Sequence, residues 1–386
     1  MNLLMVHNYY QIPGGEDTVL ENEMNLLKKH GQNVYVYSRN NGEMKQFSKW
    51  QKLCLPFTTL FSIKTYREII KEVKEKEINL IHVHNTLCLI SPSVFWAAKK
   101  CKVPVVQTIH NFRMQCPGAT FYCQGEICEK CYNNLLASLK SKCYRDSKMQ
   151  TLMLVMMLKL HRIIGTYRDV HFICLTEFNK KKLLQLNENK KIVDEDKVYV
   201  KPNFYYSKKE IIPYEKRKNQ FIYVGRLEEN KGLKTLLTTF EQLPEYHLLI
   251  CGTGTLEDYC KSFIEEHNTR NIELKGFVEH NEAIALMVES KAVLLPTKWY
   301  EGFPMTIVES FSVGTPIIGS SLGNVGDLIE EGKNGYRVEF DNVVAVKHAL
   351  DGVNTSISQF CLEEFQNKYN EEVAYNNLIN IYRKIV

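Results

Sequence analysis

The stretch YVGRLEENKGLKTLL, residues 223–237, passes from an apolar strand end into a helical repeat through a loop with two glycines and two cations. A strand that stops at Gly225 and a helix that starts near Gly232 open a strand–helix–strand crossover. Arg226 and Lys231 are out of place for such a helix on its own, because the positive end of its dipole repels them. A diphosphate lying between them would resolve the conflict.

The same unit recurs on both sides. Downstream, QFIYVG, YHLLICG, IELKGF, AVLLPT, TPIIGS and GYRVE alternate with helical stretches near 232–243, 255–267, 281–289, 305–313 and 324–331. Upstream, NLLMV, NVYVYS, LIHVHN, VPVVQTIH and VHFICLT alternate with helical stretches at 17–29, 63–76, 91–101, 149–164 and 177–186. Short apolar runs between amphipathic helices predict parallel sheets covered by helices, an α/β chain with one doubly wound sheet per half. A length of 386 residues also exceeds one ordinary core. The predicted domains are 1–205 and 206–369, joined across a polar, proline-bearing stretch at 198–220. In residues 370–386, Val373, Leu378, Ile381 and Ile385 fall near one stripe, so this helix is expected to fold back on the first domain.

Composition places the chain among soluble globular proteins, with 44% hydrophobic and 24% charged residues. No apolar run reaches the ~18 residues of a spanning helix. The start, MNLLMVHNYY, has neither the basic opening nor the cleavage site of a secretory signal and reads as a strand, so a cytoplasmic protein is expected. Residues 1–205 carry 30 Lys and Arg against 18 Asp and Glu, a balance of +12; the remainder carries 19 against 26, or −7, giving +5 together. A basic half suggests an anionic surface as partner, nucleic acid or phospholipid, with solvated charge as the plain alternative.

In open α/β sheets ligands sit at the carboxyl ends of strands, so the loops after strands carry the chemistry. In HNYYQIPGGEDTVL, Gly14 and Gly15 precede a helix that Asp17 could cap, and the amides there could cradle an anion. A dinucleotide fold wants G-x-G-x-x-G after its first strand. That spacing is missing, and CGTGTLED has Gly252 and Gly254 but Glu257 at the third glycine position. The phosphate loop G-x-x-x-x-G-K-[ST] is absent too, which excludes the redox and nucleotide-hydrolysis readings. In WYEGFPMTIVESF, residues 299–311, Glu301 lies in a loop and Glu309 in the first turns of a helix. Glu309 could accept from the vicinal hydroxyls of a ribose. Glu301, with Gly302, Phe303, Pro304 and Met305 supplying backbone amides around it, could accept from a sugar; solvated acids are the alternative.

GRLEENKG, followed by YEGFPMTIVES and GTPIIGS, resembles the retaining glycosyltransferases of family 4 over nearly the whole chain. The resemblance implies the GT-B fold, two facing Rossmann-like domains with a cleft between them. It implies that Arg226 and Lys231 hold the diphosphate of a UDP- or dTDP-sugar, Glu309 the ribose and Glu301 the transferred sugar. Gly225 and Gly254 would border the donor, Val278 the base, and Gly14 and Gly15 would close over the phosphates. QTIHN matches as well, which would put His110 beside the donor sugar near the reacting carbon. No divalent metal is implied in catalysis. The acceptor would be a saccharide or a lipid-linked saccharide in bacterial surface-polysaccharide synthesis, with rhamnose among the candidate sugars and no role for nucleic acid. A sugar-nucleotide 2-epimerase of the same architecture and a non-catalytic basic binding module are the rivals.

Five of the twelve cysteines fall within residues 116–143. Cys116, Cys128, Cys131 and Cys143 have the spacing C-x11-C-x2-C-x11-C, which predicts a structural zinc site, with packed free thiols as the alternative. Beyond it, KMQTLMLVMMLKLHRIIG reads as a core helix or as an interfacial helix on anionic lipid at the inner face of a membrane.

Overall fold

The computed structural model describes residues 1–11, 14–188, 190–207 and 211–386. Residues 12–13 of the first glycine loop and 208–210 of the expected linker thus lie outside the described residues. The chain forms two compact units, one of residues 1–123, 128–202 and 375–386, the other of 124–127 and 203–374.

Up to residue 200 the chain forms strands β1 (Asn2–Tyr9), β2 (Asn33–Asn40), β3 (Leu80–Asn85) and β4 (Val105–Ile109), a two-residue-per-arm hairpin β5 (Tyr122–Cys123) and β6 (Glu126–Ile127), then β7 (His171–Cys174) and β8 (Val198–Val200). Six of these form one sheet in the order β2-β1-β3-β4-β7-β8, and every pairing is parallel. Helices α1 (Gly15–Lys29), α2 (Lys49–Leu60), α3 (Ile63–Glu75), α4 (Ser93–Cys101), α5 (Ala137–Lys140), α6 (Lys148–Ile163) and α7 (Glu177–Leu184) connect them. Strands β1 and β3 are buried almost end to end; in β1 this shows as the apolar run LLMV, whereas β3 buries His82, His84 and Asn85 as well.

The second unit repeats the plan with β9 (Gln220–Val224), β10 (His247–Cys251), β11 (Ile272–Gly276), β12 (Ala292–Leu295), β13 (Ile317–Gly319) and β14 (Gly335–Arg337). Its sheet runs β11-β10-β9-β12-β13-β14, again all parallel. The helices are α8 (Leu233–Glu241), α9 (Glu257–Glu266), α10 (His280–Glu289), α11 (Met305–Ser312), α12 (Gly323–Leu328), α13 (Val343–Gly352) and α14 (Thr355–Glu364). Last comes α15 (Glu371–Ile385), whose Leu378, Ile379, Ile381 and Tyr382 pack with Leu3, Met5, Leu20 and Leu27 in a core cluster of the first unit.

In each sheet the order reverses beside the first strand, between β1 and β3 in one unit and between β9 and β12 in the other. Such reversals leave a crevice at the carboxyl ends of the strands, where ligands of open α/β sheets bind.

Three departures from the sequence expectation have physical causes. The stretch expected as linker begins with β8, a three-residue edge strand too short to show alternation. Helix α2 was not expected because Pro56 interrupts its repeat and Trp50, Leu53 and Phe57 are exposed rather than buried. Helices α13 and α14 are short and follow each other with no strand between them, so no change of period marks them.

Candidate active site

In the second unit the loops after β9 and β12 carry the predicted groups. Gly232 has φ 75°, and a Cβ there would fall 1.9 Å from the carbonyl oxygen of Pro296, so only glycine lets the two loops approach this closely. The approach sets Lys231 Nζ 2.7 Å from Glu301 Oε1 and 5.4 Å from the centre of the Trp299 ring. The same carboxylate oxygen accepts from Trp299 Nε1 at 2.8 Å and from Thr297 Oγ1 at 3.2 Å. Asn324 Nδ2 donates to the carbonyls of Glu301 and Gly302 at 2.6 and 2.7 Å, fixing the loop from behind. Arg226 pairs with Glu228 at 2.7 Å and leaves two thirds of its side chain exposed at the strand end.

Glu309 sits in α11 as expected. Burial raises its carboxyl pKa, and His280, whose Nε2 is 4.0 Å away, opposes the rise. Tyr205 Oη reaches His280 Nε2 at 3.3 Å. Val278 is half-buried against the same apolar cluster that holds Ile307 and Phe311. Gly302 and Phe303 lie in the loop ahead of α11 and Met305 begins the helix. Pro304 must be removed from the amides expected around Glu301, since proline has no N–H.

The glycines divide into two kinds. A Cβ on Gly254 would lie 2.4 Å from the Leu227 carbonyl, and one on Gly225 would lie 3.1 Å from Tyr223 Oη, so both serve the packing of neighbouring loops. Gly14 and Gly15 meet nothing within 4 Å. Gly14, not Asp17, is the N-cap of α1, and Asp17 instead accepts from the Gly14 amide at 3.0 Å.

In the first unit His110 follows β4 and lines a pocket with Tyr10, Asn85, Asn111 and Arg113. Its Nε2 lies 3.0 Å from Nδ1 of His84, at the end of β3. Burial holds the His110 imidazole down at about 3, against the pull of Glu23. Glu16 receives Asn85 Nδ2 at 3.0 Å, and burial followed by the charge of Asp17 pushes its carboxyl up to about 8. Sequence reading missed His84, Glu16, Asn324, Trp299 and Thr297. His84 stands in LIHVHN, where His82, His84 and Asn85 break an apolar strand, and that was the available signal.

The cysteine insert draws in a fifth thiol. Cys116 lies beside Cys131, and the Phe121, Gly118 and Thr120 amides are near its sulfur. Cys143 lies beside Cys123, which the predicted ligand set omits, and Cys128 lies near both pairs; all are free thiols. Among the described residues, two groups bring three ligating atoms within 4.8 Å of one another, Glu23–His82–His84 and His7–Glu16–Asp17; the thiols are in neither. His82 uses both ring nitrogens on Tyr382 and Thr108, and Lys201 already sits on Glu23, so the first group is an ion-pair network rather than a cation site.

Helix α6 divides the two readings made of it. Leu154, Val155 and Leu158 are buried, whereas Met149, Leu152, Met156, Leu160 and Ile163 are exposed. It packs beside α2, so the exposed apolar side chains of both helices belong to the same unit surface. Among the described residues, no helix is long and apolar enough to cross a membrane.

Comparison with known proteins adds the following. A family model described as Glycosyltransferase Family 4 matches residues 13–205, half of the chain, and one described as Glycosyl transferases group 1 matches residues 207–356. A glycogen synthase of Mycobacterium tuberculosis is 31% identical over 139 residues, 35% of this chain and 33% of that protein. An uncharacterized 41.2 kDa protein in the cps region of Klebsiella pneumoniae is 25% identical over 44% of this chain and 47% of its own length. The matches thus span from a third to about half of these relatives. Among solved structures, the lipopolysaccharide outer core galactosyltransferase WaaB superposes over 100% of both chains with a TM-score of 0.68 at 18% identity. An Anabaena protein solved with UDP, HepE, does so over 100% of both chains with a TM-score of 0.66 at 14% identity. At these identities the likeness shows the fold, which is GT-B.

Proposed function

Because the chain belongs to glycosyltransferase family 4, we propose that it is a retaining, metal-independent glycosyltransferase that moves a sugar from a UDP or dTDP carrier to a saccharide or lipid-linked saccharide in surface-polysaccharide synthesis. The observation that carries this reading is the placing of Lys231 against Glu301, with Arg226 nearby in sequence, at the β9/β12 reversal. Solved neighbours in complex with UDP and with UDP-glucose support a nucleotide-sugar donor. The Klebsiella relative from a cps region supports a polysaccharide acceptor.

Cleavage of the bond between the anomeric carbon and the phosphate oxygen leaves negative charge on the departing diphosphate. Arg226 and Lys231 would stabilise that charge, an effect of ~3 kcal/mol for a well-aimed donor. Attack from the face of the leaving group retains configuration, and the acceptor hydroxyl passes its proton to a departing phosphate oxygen. Glu301 would hold the sugar, Glu309 the ribose, and the loop of Val278 the base, while His110 and Gly14–Gly15 of the first unit would face the sugar and the phosphates. Rhamnose on dTDP is one donor candidate, with glucose, galactose or N-acetylglucosamine on UDP as others.

A thermal-shift screen against UDP-, GDP- and dTDP-sugars tests the reading, since a ligand at 100 times its dissociation constant adds ~2.7 kcal/mol of stability. Stabilisation by none of them would overturn it. A 2-epimerase would instead release altered sugar and nucleotide with no acceptor present.

Two further parts of the reading rest on the first unit. The exposed apolar side chains of α2 and α6, with exposed Lys49, Lys52, Lys148 and Lys159 on the same helices, suit contact with an anionic lipid surface that carries the acceptor. A structural zinc ion held through Cys116, Cys128, Cys131 and Cys143 would have to draw together thiols of which no three lie within 4.8 Å of one another. Metal analysis of purified protein would then give about one equivalent, and less than about a tenth of an equivalent removes the site.

A further inference from the structure

Beneath His110 lies a chain of buried polar groups that the proposed chemistry does not use. Lys201 and Glu23 are each 1% exposed and joined at 2.5 Å through Glu23 Oε1. The other carboxylate oxygen, Oε2, faces His84 Nε2 at 3.5 Å as a charge contact, and neither buried atom makes a hydrogen bond. His84 Nδ1 then meets His110 Nε2 at 3.0 Å, with the two rings stacked at 5.2 Å between centres. The remaining nitrogen, His110 Nδ1, has no hydrogen-bond partner among the described residues, and the ring lines the pocket with Asn111 and Arg113.

The charge on Glu23 sets a preferred order of protons along this chain. Burial pushes the Glu23 carboxyl up, but its charged and hydrogen-bonding neighbours, Lys201 foremost, together bring it below the usual carboxylate range, so both of its oxygens accept. His84 Nε2 faces one of them at 3.5 Å, where the negative oxygen attracts an N–H and repels a lone pair, so the proton belongs on Nε2. A neutral His84 therefore offers a lone pair at Nδ1, and His110 Nε2 must donate to it. That leaves His110 Nδ1 without a proton. Other charged or titratable groups close to the chain are His7, His82 and Asp17, and His7 Nε2 is bound to Asp17 Oδ1 at 2.7 Å.

We propose that Lys201, Glu23 and His84 are positioning residues that lock His110 into the tautomer protonated at Nε2, so that its Nδ1 stands in the pocket as a hydrogen-bond acceptor for a sugar hydroxyl. The hydroxyl part of this inference rests on the glycosyltransferase reading; the tautomer part does not. Fixing the tautomer selects a donor hydroxyl over an acceptor such as a phosphate oxygen, which a bare nitrogen repels.

The test uses the full chain labelled with ¹⁵N at histidine, where long-range ¹H–¹⁵N correlation spectra report each ring's tautomer. The wild-type protein should show His84 and His110 both neutral and protonated at Nε2. In His84→Phe the His110 signals should move to a mixture of tautomers. In the double variant Glu23→Leu with Lys201→Met, which removes both buried charges together so that neither is stranded, His84 should lose its single form. A wild-type His110 protonated at Nδ1, or an unchanged His110 in His84→Phe, overturns the lock. In the same His84→Phe protein, kcat/KM should fall about tenfold while nucleoside-diphosphate affinity holds. An unchanged kcat/KM beside a shifted tautomer overturns the sugar contact alone. Absence of nucleotide binding by wild-type protein would count against the glycosyltransferase reading and leave the tautomer result standing.

Discussion

Lys231 Nζ and Glu301 Oε1 are 2.7 Å apart, so the cation assigned to the leaving group and the carboxylate assigned to the sugar share one contact. Glu301→Gln keeps an oxygen for Trp299 and Thr297 but removes the charge. We expect kcat to drop by about a hundredfold with nucleoside-diphosphate affinity nearly unchanged, read by steady-state kinetics and calorimetry. A kcat equal to wild type would take Glu301 out of the sugar site.

Glu309 gives a pH signature. Its pKa is raised by burial, so the folded chain holds this proton more tightly than the unfolded chain does, and ionisation above the raised pKa costs stability. Glu309→Gln should therefore raise the melting temperature at about pH 8 and leave it nearly unchanged at about pH 3, where the carboxyl is protonated in both states. Nucleoside-diphosphate affinity should weaken in the wild type as pH falls through the raised pKa, and stay flat in the variant. A pH-independent affinity in both proteins would contradict the ribose assignment.

Trp50 and Phe57 are 76% and 71% exposed on one helix, beside the exposed Met149 and Ile163 of another. Trp50→Glu with Phe57→Glu should cut binding to vesicles of anionic phospholipid about tenfold in flotation assays, with turnover on a soluble acceptor unaffected. Wild-type protein that fails to float with anionic vesicles would end the membrane part of the account.

Much of the fold was legible because parallel strands buried on both faces leave unbroken apolar runs such as LLMV and FIYV. The placing of Arg226, Lys231, Glu301 and Glu309 after β9 and β12 was legible because each lies within one short strand–loop–helix stretch. Groups brought together over long separations left no local trace. Glu23 and Lys201 are 178 residues apart, and Asn324 acts on a loop 23 residues upstream. Edge strand Val198–Val200 is too short for any periodicity. The error at Pro304 needed no structure, since its ring removes the amide that the expectation assigned to it.

The cationic grip on the leaving group is tested most directly by calorimetric titration of nucleoside diphosphate, with turnover measured in parallel, on the double variant Arg226→Ala with Lys231→Ala. The account expects turnover to fall by about 10⁴-fold and nucleotide affinity to drop at least tenfold in a protein that still unfolds cooperatively. Wild-type affinity and turnover in that variant would contradict it.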